Sequence, residues 1–470
     1  LNSPLNNLFN PDPRILLAGL SGGTGKTIVS LACARAFSRA GRVVAPFKKG
    51  PDYIDAQWLS LAASRPCSNL DPYFHSRDVI RSVFHHKSIG ADLSLIEGNR
   101  GLFDGMDEHG SCSSAELARM LDAPVILAID CTKMTRTVAA VVQGCAGFEP
   151  GLNLAGVILN RTAGERHRSV LRRSMETHTD IPVLGMLPKM VSNPIPERHM
   201  GLMSDQEYDG SGHLDALADL ASEWLDLEGI ERAALAAPDF GPTPPPIFPG
   251  EPAARKARIG YVHDAALWFY YPENLEALEH AGAELVRLSL LDPEPWPEVD
   301  GLYLGGGFPE VFAERIAANR PVLDHLRALA ESGLPIYAEC GGFMVLCERL
   351  EIDNASHAMA GVFPLTTSFC PRPQGLGYTE AEVVADTVFF PAGTRVLGHE
   401  FHYSMCVSER AGELEHGLRM VRGQGSALGR DGFLHRNTWA GYNHIHALAV
   451  PGWAERFVAA AAARATGARP

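Results

Sequence analysis

Between Ala236 and Ala257 the chain carries Pro238, Pro242, Pro244, Pro245, Pro246, Pro249 and Pro252. Each proline fixes φ and removes a backbone donor, so this stretch can form neither a helix interior nor a central strand. It reads as a linker, 236–257, between a first domain at 1–235 and a second at 258–470. Length alone suggests about three domains at roughly 150 residues each. The linker, and the strand and helix pattern that restarts behind it, reduce that to two.

Ahead of the linker, short β-rich runs recur at Ile15–Leu20, Val43–Phe47, Leu93–Ile96, Val125–Ile129, Ala155–Leu159 and Val183–Leu187. Most are continuously apolar rather than alternating, as strands buried on both faces must be. Helix-compatible stretches such as Thr27–Ala40 and Ala115–Leu121 separate several of them, and a helical tail follows near Leu214–Leu225. Behind the linker come Ile259–Val262, Glu284–Leu288, Gly301–Leu304 and Pro335–Ala338; the last hundred residues are richer in strands, including Arg395–Tyr403 and Trp439–His446. The fold class is therefore α/β, two domains each with a mostly parallel sheet flanked by helices.

Hydrophobic residues make up 46% and charged residues 20%, enough apolar material for large cores. Asp plus Glu number 55 against 41 Lys plus Arg. That balance, with no basic run, excludes a nucleic-acid binder, and any anionic ligand must be held by locally placed groups. The nine cysteines are odd in number, irregularly spaced and without a Cys-x-x-Cys pair, which fits a reduced, cytoplasmic protein rather than a disulfide framework or zinc site. Leu1–Arg14 lacks the pattern of a secretory signal, and apolar runs such as Val125–Ile129 are far shorter than the ~20 residues of a membrane helix. No membrane association is expected.

The first strand runs into Ser21-Gly22-Gly23-Thr24-Gly25-Lys26-Thr27 and then a helix pattern. Glycines let successive backbone N–H groups curl around phosphate oxygens, Lys26 would neutralise the β/γ end, and the Thr27 hydroxyl would bind Mg²⁺. The spacing departs from Gly-x4-Gly-Lys: Gly19 makes it Gly-x5-Gly-Lys-Thr. Ligands of open parallel sheets collect beyond the strands' carboxyl ends. Two such ends carry Lys48-Lys49-Gly50-Pro51-Asp52-Tyr53-Ile54-Asp55 and Glu97-Gly98-Asn99-Arg100-Gly101-Leu102-Phe103-Asp104-Gly105. Asp52 and Glu97 would complete the oxygen shell of Mg²⁺ with Thr27, although either carboxylate alone also reads as a helix cap or a solvated loop residue.

In the second half, Pro335-Ile-Tyr-Ala-Glu339-Cys340-Gly341-Gly342-Phe343 is a strand, a cysteine, two glycines and a helix-compatible run. A nucleophile at a tight strand-to-helix turn projects outward, and the helix N-terminus is expected to lower the thiol pKa. The backbone N–H groups of Gly306, Gly307 and Gly341 would form an oxyanion hole. Candidates for the base are His399 and His402 in Gly-His-Glu-Phe-His-Tyr, and His444 and His446 in Tyr-Asn-His-Ile-His. On a continuous strand His444 and His446 share a face, and periodicity does not choose between them.

Together these residues resemble the cobyrinic acid a,c-diamide synthase family, whose first half is similar to dethiobiotin synthetase and whose second is a class I-type glutamine amidotransferase. The motifs run in order from Leu16 to about Leu448: Ser-Gly-Gly-Thr-Gly-Lys-Thr at 21–27, Lys-Gly-Pro-Asp-Tyr-Ile-Asp at 49–55, Asn-Leu-Asp at 69–71 and Glu-Gly…Gly-Leu-Phe-Asp-Gly at 97–105. Pro-Glu-Arg-His at 196–199, Phe-Tyr-Tyr-Pro-Glu-Asn-Leu at 269–275, Gly-Gly-Gly-Phe-Pro-Glu at 305–310, Glu-Cys-Gly-Gly at 339–342, Gly-Leu-Gly-Tyr at 375–378 and Gly-His-Glu-Phe-His-Tyr-Ser at 398–404 follow.

The resemblance implies ATP and Mg²⁺ as cofactors, and glutamine and a tetrapyrrole polycarboxylate as partners, with a homodimer left open. It implies ammonia release at Cys340 assisted by His444 or His446, then amidation of the a and c acetates of cobyrinic or hydrogenobyrinic acid through an acyl phosphate. It places Asn160 at the adenine, and Lys49, Arg198 and His199 at the acceptor or phosphate. Ala56 and Leu59 stand where the family pattern has Pro and His, Asn99-Arg100 precedes Gly101, and Gly441-Tyr442-Asn443-His444-Ile445-His446 replaces Ser-Tyr-x-His-Leu-His. These departures keep sirohaem or nickel-sirohydrochlorin open as acceptors. A partition-type ATPase switch would leave Cys340 without a role, and the Pro-Asp-Tyr-Ile-Asp signature argues against a cobyric acid synthase.

Overall fold

The computed structural model describes residues 12–190, 197–198, 201–202 and 211–465. The chain separates into two compact units at Ile247/Phe248, inside the proline stretch. The beginning of that stretch is packed on the first unit. Pro238 O accepts from Arg14 Nη2 at 2.9 Å, and the Phe240 ring lies 3.9 Å under the Arg81 guanidinium and 5.3 Å from Phe84.

The first unit is a seven-stranded sheet of β1 (Arg14–Gly19), β2 (Val44–Lys49), β3 (Ser68–Leu70), β4 (Leu93–Gly101), β5 (Val125–Asp130), β6 (Leu154–Thr162) and β7 (Val183–Pro188). The order is β3-β2-β4-β1-β5-β6-β7 and every pairing is parallel. β1 is buried along its whole length, which explains the unbroken apolar run that follows Arg14 from Ile15 to Gly19. Helices α1 (Lys26–Arg39), α2 (Tyr53–Ala63), α3 (Arg77–Ser88), α4 (Ser114–Met120), α5 (Thr137–Phe148) and α6 (Glu165–His178) make the crossovers, and α7 (Ser211–Trp224) and α8 (Leu227–Leu235) follow. After β3 the chain returns to place β4 between β2 and β1. The carboxyl ends of β1, β2 and β4 thus lie side by side, at the point where such sheets bind ligands.

The second unit is built on a ten-stranded sheet. Strands Ala283–Leu288, Ala257–Val262, Gly301–Leu304, Ile336–Glu339 and Thr438–Gly441 are parallel neighbours in that order. The strand-rich tail adds an antiparallel half: Arg430–His435, His416–Arg422, Gly375–Val383, Arg395–His402 and His444–Ile445. Gly441 lies on the parallel strand that adjoins one end of this half, and His444, three residues on, lies on the strand at its other end. Three residues span at most about 11 Å. The antiparallel half must therefore curl back on itself, and this roll delivers His444 beside the parallel strands.

Trp439–His446 is accordingly not one strand, contrary to expectation. It breaks at Tyr442-Asn443, whose backbone N–H groups donate to the buried Asp431 carboxylate at 3.1 and 2.8 Å. His446 lies beyond the second piece, so His444 and His446 do not share a strand face.

Candidate active sites

The glycine loop after β1 places Gly23 and Gly25 at positive φ (75° and 89°), and α1 starts at Lys26. Gly25 has no room for a side chain, since a Cβ would lie 2.2 Å from Asn160 Nδ2. Asn160, near the end of β6, donates through Nδ2 to Thr24 O at 2.8 Å and accepts from Arg161 N through Oδ1 at 2.8 Å. It braces the loop; an adenine contact would use the remaining hydrogen of that amide or the second lone pair of Oδ1. The six-residue offset of Gly19 from Gly25 also has a reason: a Cβ on Gly19 would lie 2.5 Å from Thr24 Oγ1, which itself donates to Ser21 O at 3.1 Å.

Thr27 Oγ1 donates to Glu97 Oε1 at 2.7 Å, and Lys26 Nζ stands 4.0 Å from the same oxygen. Lys48, fully buried at the end of β2, reaches Asp55 at 2.6 Å, Glu97 at 3.0 Å and Asp52 at 3.8 Å. Burial alone would drive Lys48 toward neutrality, but Asp55, Glu97 and Asp52 outweigh it and hold its pKa above the ordinary value. Burial and then Asp55 push Asp52 up to about 6. Burial would raise Asp55 too, but the Lys48 ammonium outweighs it and keeps Asp55 low. Asp52 also caps α2, its Oδ1 accepting from Ile54 N and Asp55 N at 3.0 Å. Thr27 and Glu97 are thus brought together, whereas the Lys48 ammonium stands between Glu97 and Asp52.

Among the described residues Glu97 Oε2 is buried without a hydrogen-bond partner. Beside the Thr27 hydroxyl it forms a hard-oxygen donor set of the kind Mg²⁺ takes. Lys49 is buried next to Asp71, and burial lowers its pKa against the pull of that carboxylate. Arg198 is placed by its backbone in the short strand Glu197–Arg198, paired with Gly201–Leu202, and His199 lies outside the described residues.

In the second unit Cys340 joins strand Ile336–Glu339 to helix Gly341–Leu346 at φ 48°, ψ −103°. A non-glycine residue in this region is strained by about 1–3 kcal/mol. Cys340 N donates to Gly441 O at 2.7 Å, and the thiol points at Phe401 O, 3.9 Å away. Burial, then the charge of Glu310, pushes the thiol well above its usual range. The expected lowering by the helix N-terminus does not win, because the helix has six residues and the sulfur is desolvated.

Gly307 N lies 3.0 Å from where a Gly341 Cβ would stand, and a Cβ on Gly306 would meet His444 Cε1 at 2.5 Å. Gly306, Gly307, Gly341 and the His444 ring therefore converge beside Cys340. His444 Nδ1 is 3.6 Å from Glu339 Oε2, and its ring stacks on His399 at 4.8 Å. His446 instead pairs with Glu273 at 3.5 Å and lies 4.7 Å from the Tyr271 ring. His402 stacks on Tyr442 at 3.8 Å, with Nδ1 2.7 Å from Ser404 O.

Lys48, Asp55 and Glu339 carry geometry that the sequence reading assigned to no role. A lysine ending an otherwise apolar parallel strand was the available signal for the first.

Residues 258–451 match the CobB/CobQ-like glutamine amidotransferase domain, and residues 15–202 match the CobQ/CobB/MinD/ParA nucleotide binding domain. A cobyrinate a,c-diamide synthase of Magnetococcus marinus is 42% identical over 447 residues, covering 94% of this chain and 96% of that one. Proteins of the same name from Syntrophotalea carbinolica and Listeria monocytogenes are each 39% identical, covering 95% and 92% of this chain and 98% and 96% of theirs. Among the described residues no helix is long and apolar enough to cross a membrane.

Proposed function

The chain belongs to the cobyrinate a,c-diamide synthase family, and from that premise we propose that it amidates the a and c acetates of cobyrinic or hydrogenobyrinic acid, using ATP and glutamine. The supporting observation is the pairing, in one chain, of a strained cysteine elbow with a phosphate loop that faces Glu97.

At the elbow, Cys340 Sγ bonds to the side-chain amide carbon of glutamine while its proton passes to His444. His444 rather than His446 takes this part because its ring stands over Gly306 and faces Glu339. The N–H groups of Gly306, Gly307 and Gly341 hold the oxyanion. The C–N bond breaks, ammonia departs with the proton from His444, and water cleaves the thioester to give glutamate and the free thiol.

At the loop, Gly22, Gly23, Thr24 and Gly25 wrap the phosphates while Lys26 neutralises the transferring group. Thr27 and Glu97 would hold Mg²⁺, while Asp52, the third expected ligand, is separated from Glu97 by the Lys48 ammonium; the ion would supply charge neutralisation at the phosphates. A peripheral carboxylate oxygen attacks the γ-phosphorus and ADP leaves. Ammonia then displaces phosphate from the acyl phosphate to form the amide. Lys49, Arg198 and His199 are the proposed contacts to acceptor or phosphate. Sirohaem and nickel-sirohydrochlorin remain the comparison acceptors, on the strength of Ala56 and Leu59.

The two-site scheme is tested by Cys340→Ala. Glutamine-dependent amidation is expected to fall about 10³-fold or more, while amidation with ammonium salts persists at the parent rate. Loss of both activities in a folded variant contradicts the scheme.

A further inference from the structure

The Cys340 thiol carries its proton in the resting site, because burial raises its pKa. Attack therefore creates an imidazolium on His444, a residue of nearly zero exposure. A cation so buried is stable only with a counter-charge.

We propose that Glu339 is the positioning carboxylate of the glutaminase site, keeping the His444 Nδ1 proton on its own side and stabilising the imidazolium. The proposal rests on the reading of Cys340 as nucleophile and His444 as base. Glu339 is fully buried, and its Oε2 lies 3.6 Å from His444 Nδ1. Its Oε1 accepts from Ile445 N at 3.0 Å, so the same carboxylate holds the backbone next to the base. Its Oε2 also accepts from Tyr303 OH at 3.0 Å.

Tyr303 is itself held by Asn274, whose Nδ2 donates to the phenol at 3.2 Å and to Ile445 O at 3.0 Å. Asn274 Oδ1 accepts from Ala447 N at 2.6 Å. The Phe-Tyr-Tyr-Pro-Glu-Asn-Leu motif thereby acquires a purpose: through Asn274 it fixes the segment that bears His444. The other titratable groups near this pair are His399 stacked on His444, His446 with Glu273, the phenols of Tyr270, Tyr271 and Tyr303, the Tyr337 hydroxyl hydrogen-bonded to Glu339, and the Cys340 thiol. Burial holds His399 well below the usual imidazole range, so His399 remains neutral.

The test is Glu339→Gln in the full chain, with glutamine hydrolysis and ammonia-dependent amidation measured in parallel. Replacing the buried acid of a histidine-dependent triad by its amide costs up to about 10⁴ in rate. We expect kcat for glutamine to fall by about 10²- to 10⁴-fold, with KM changed less than about threefold and ammonia-dependent amidation kept within about twofold. The acid limb of kcat/KM should move to lower pH, because an imidazolium without its carboxylate loses its proton more readily. A kcat within about threefold of the parent, or a loss with no movement of the limb, overturns the proposal.

If Glu339→Gln also loses ammonia-dependent activity, Tyr303→Phe decides. It strips one hydrogen bond from Oε2 and should move the acid limb to higher pH; an unmoved limb overturns the proposal. Cys340→Ala and His444→Ala run alongside. Glutaminase activity surviving in either one refutes the underlying reading, separately from any result at Glu339.

Discussion

Cys340 combines three features that together define its chemistry: positive φ, nearly complete burial and a thiol aimed at the Phe401 carbonyl. The elbow could be read from Glu-Cys-Gly-Gly, because a strand followed by a nucleophile and two glycines has few other uses. Its ionisation could not. The sequence shows a helix start behind the cysteine but not how much water is excluded around the sulfur, and exclusion dominates. The sign follows directly: with the pKa raised, the thiolate fraction is small at neutral pH and grows about tenfold per pH unit. Labelling of Cys340 by iodoacetamide, followed by peptide mass spectrometry, should therefore keep rising through pH 9. A plateau near neutrality would mean that the helix N-terminus prevails after all. Glu339 was hidden for a related reason. Its role depends on which side chain the roll of the antiparallel half brings opposite it, and His444 is 105 residues further along the chain.

At the scale of elements, the phosphate loop shows how a strand end two positions across the sheet governs a turn. Asn160 at the end of β6 supports the loop that follows β1, by its bond to Thr24 O and by filling the space above Gly25. A buried hydrogen bond of this kind contributes about 1 kcal/mol. Asn160→Ala should therefore raise the KM for ATP by about fivefold, with glutamine hydrolysis unchanged; an unaltered KM would show that the loop holds its shape unaided. The parallel sheet was legible because its strands are continuously apolar and its loop ends carry the motifs. The break at Tyr442-Asn443 was not. An apolar run followed by two alternating histidines looks like one strand, and only the Asp431 carboxylate that receives both N–H groups shows where it ends. Proline content marked the stretch in which the chain divides into two units, but not that Phe240 would pack under Arg81 on the first unit.

At the scale of the molecule, an excess of acidic residues coexists with anionic ligands because the charge is resolved locally. Lys48 is already matched by Asp52, Asp55 and Glu97, so the cations proposed to meet phosphates and carboxylates are Lys26, Lys49 and Arg198. Each compact unit carries one half of the chemistry, and each half should fail independently. Lys26→Ala is expected to lower ATP-coupled amidation by roughly 10²-fold or more while glutamine hydrolysis persists. Full amidation in that variant would remove the loop from the mechanism. The central claim, that nitrogen moves from glutamine onto two acetates of one corrin, is tested most directly by isotope. The full-length protein is incubated with cobyrinic acid, ATP and amide-¹⁵N glutamine, and the product is weighed by mass spectrometry. The account expects a diamide carrying ¹⁵N at both the a and c positions, formed only when ATP is present. Unchanged cobyrinic acid, alongside ¹⁵N amides on sirohaem or nickel-sirohydrochlorin in a parallel incubation, would contradict it.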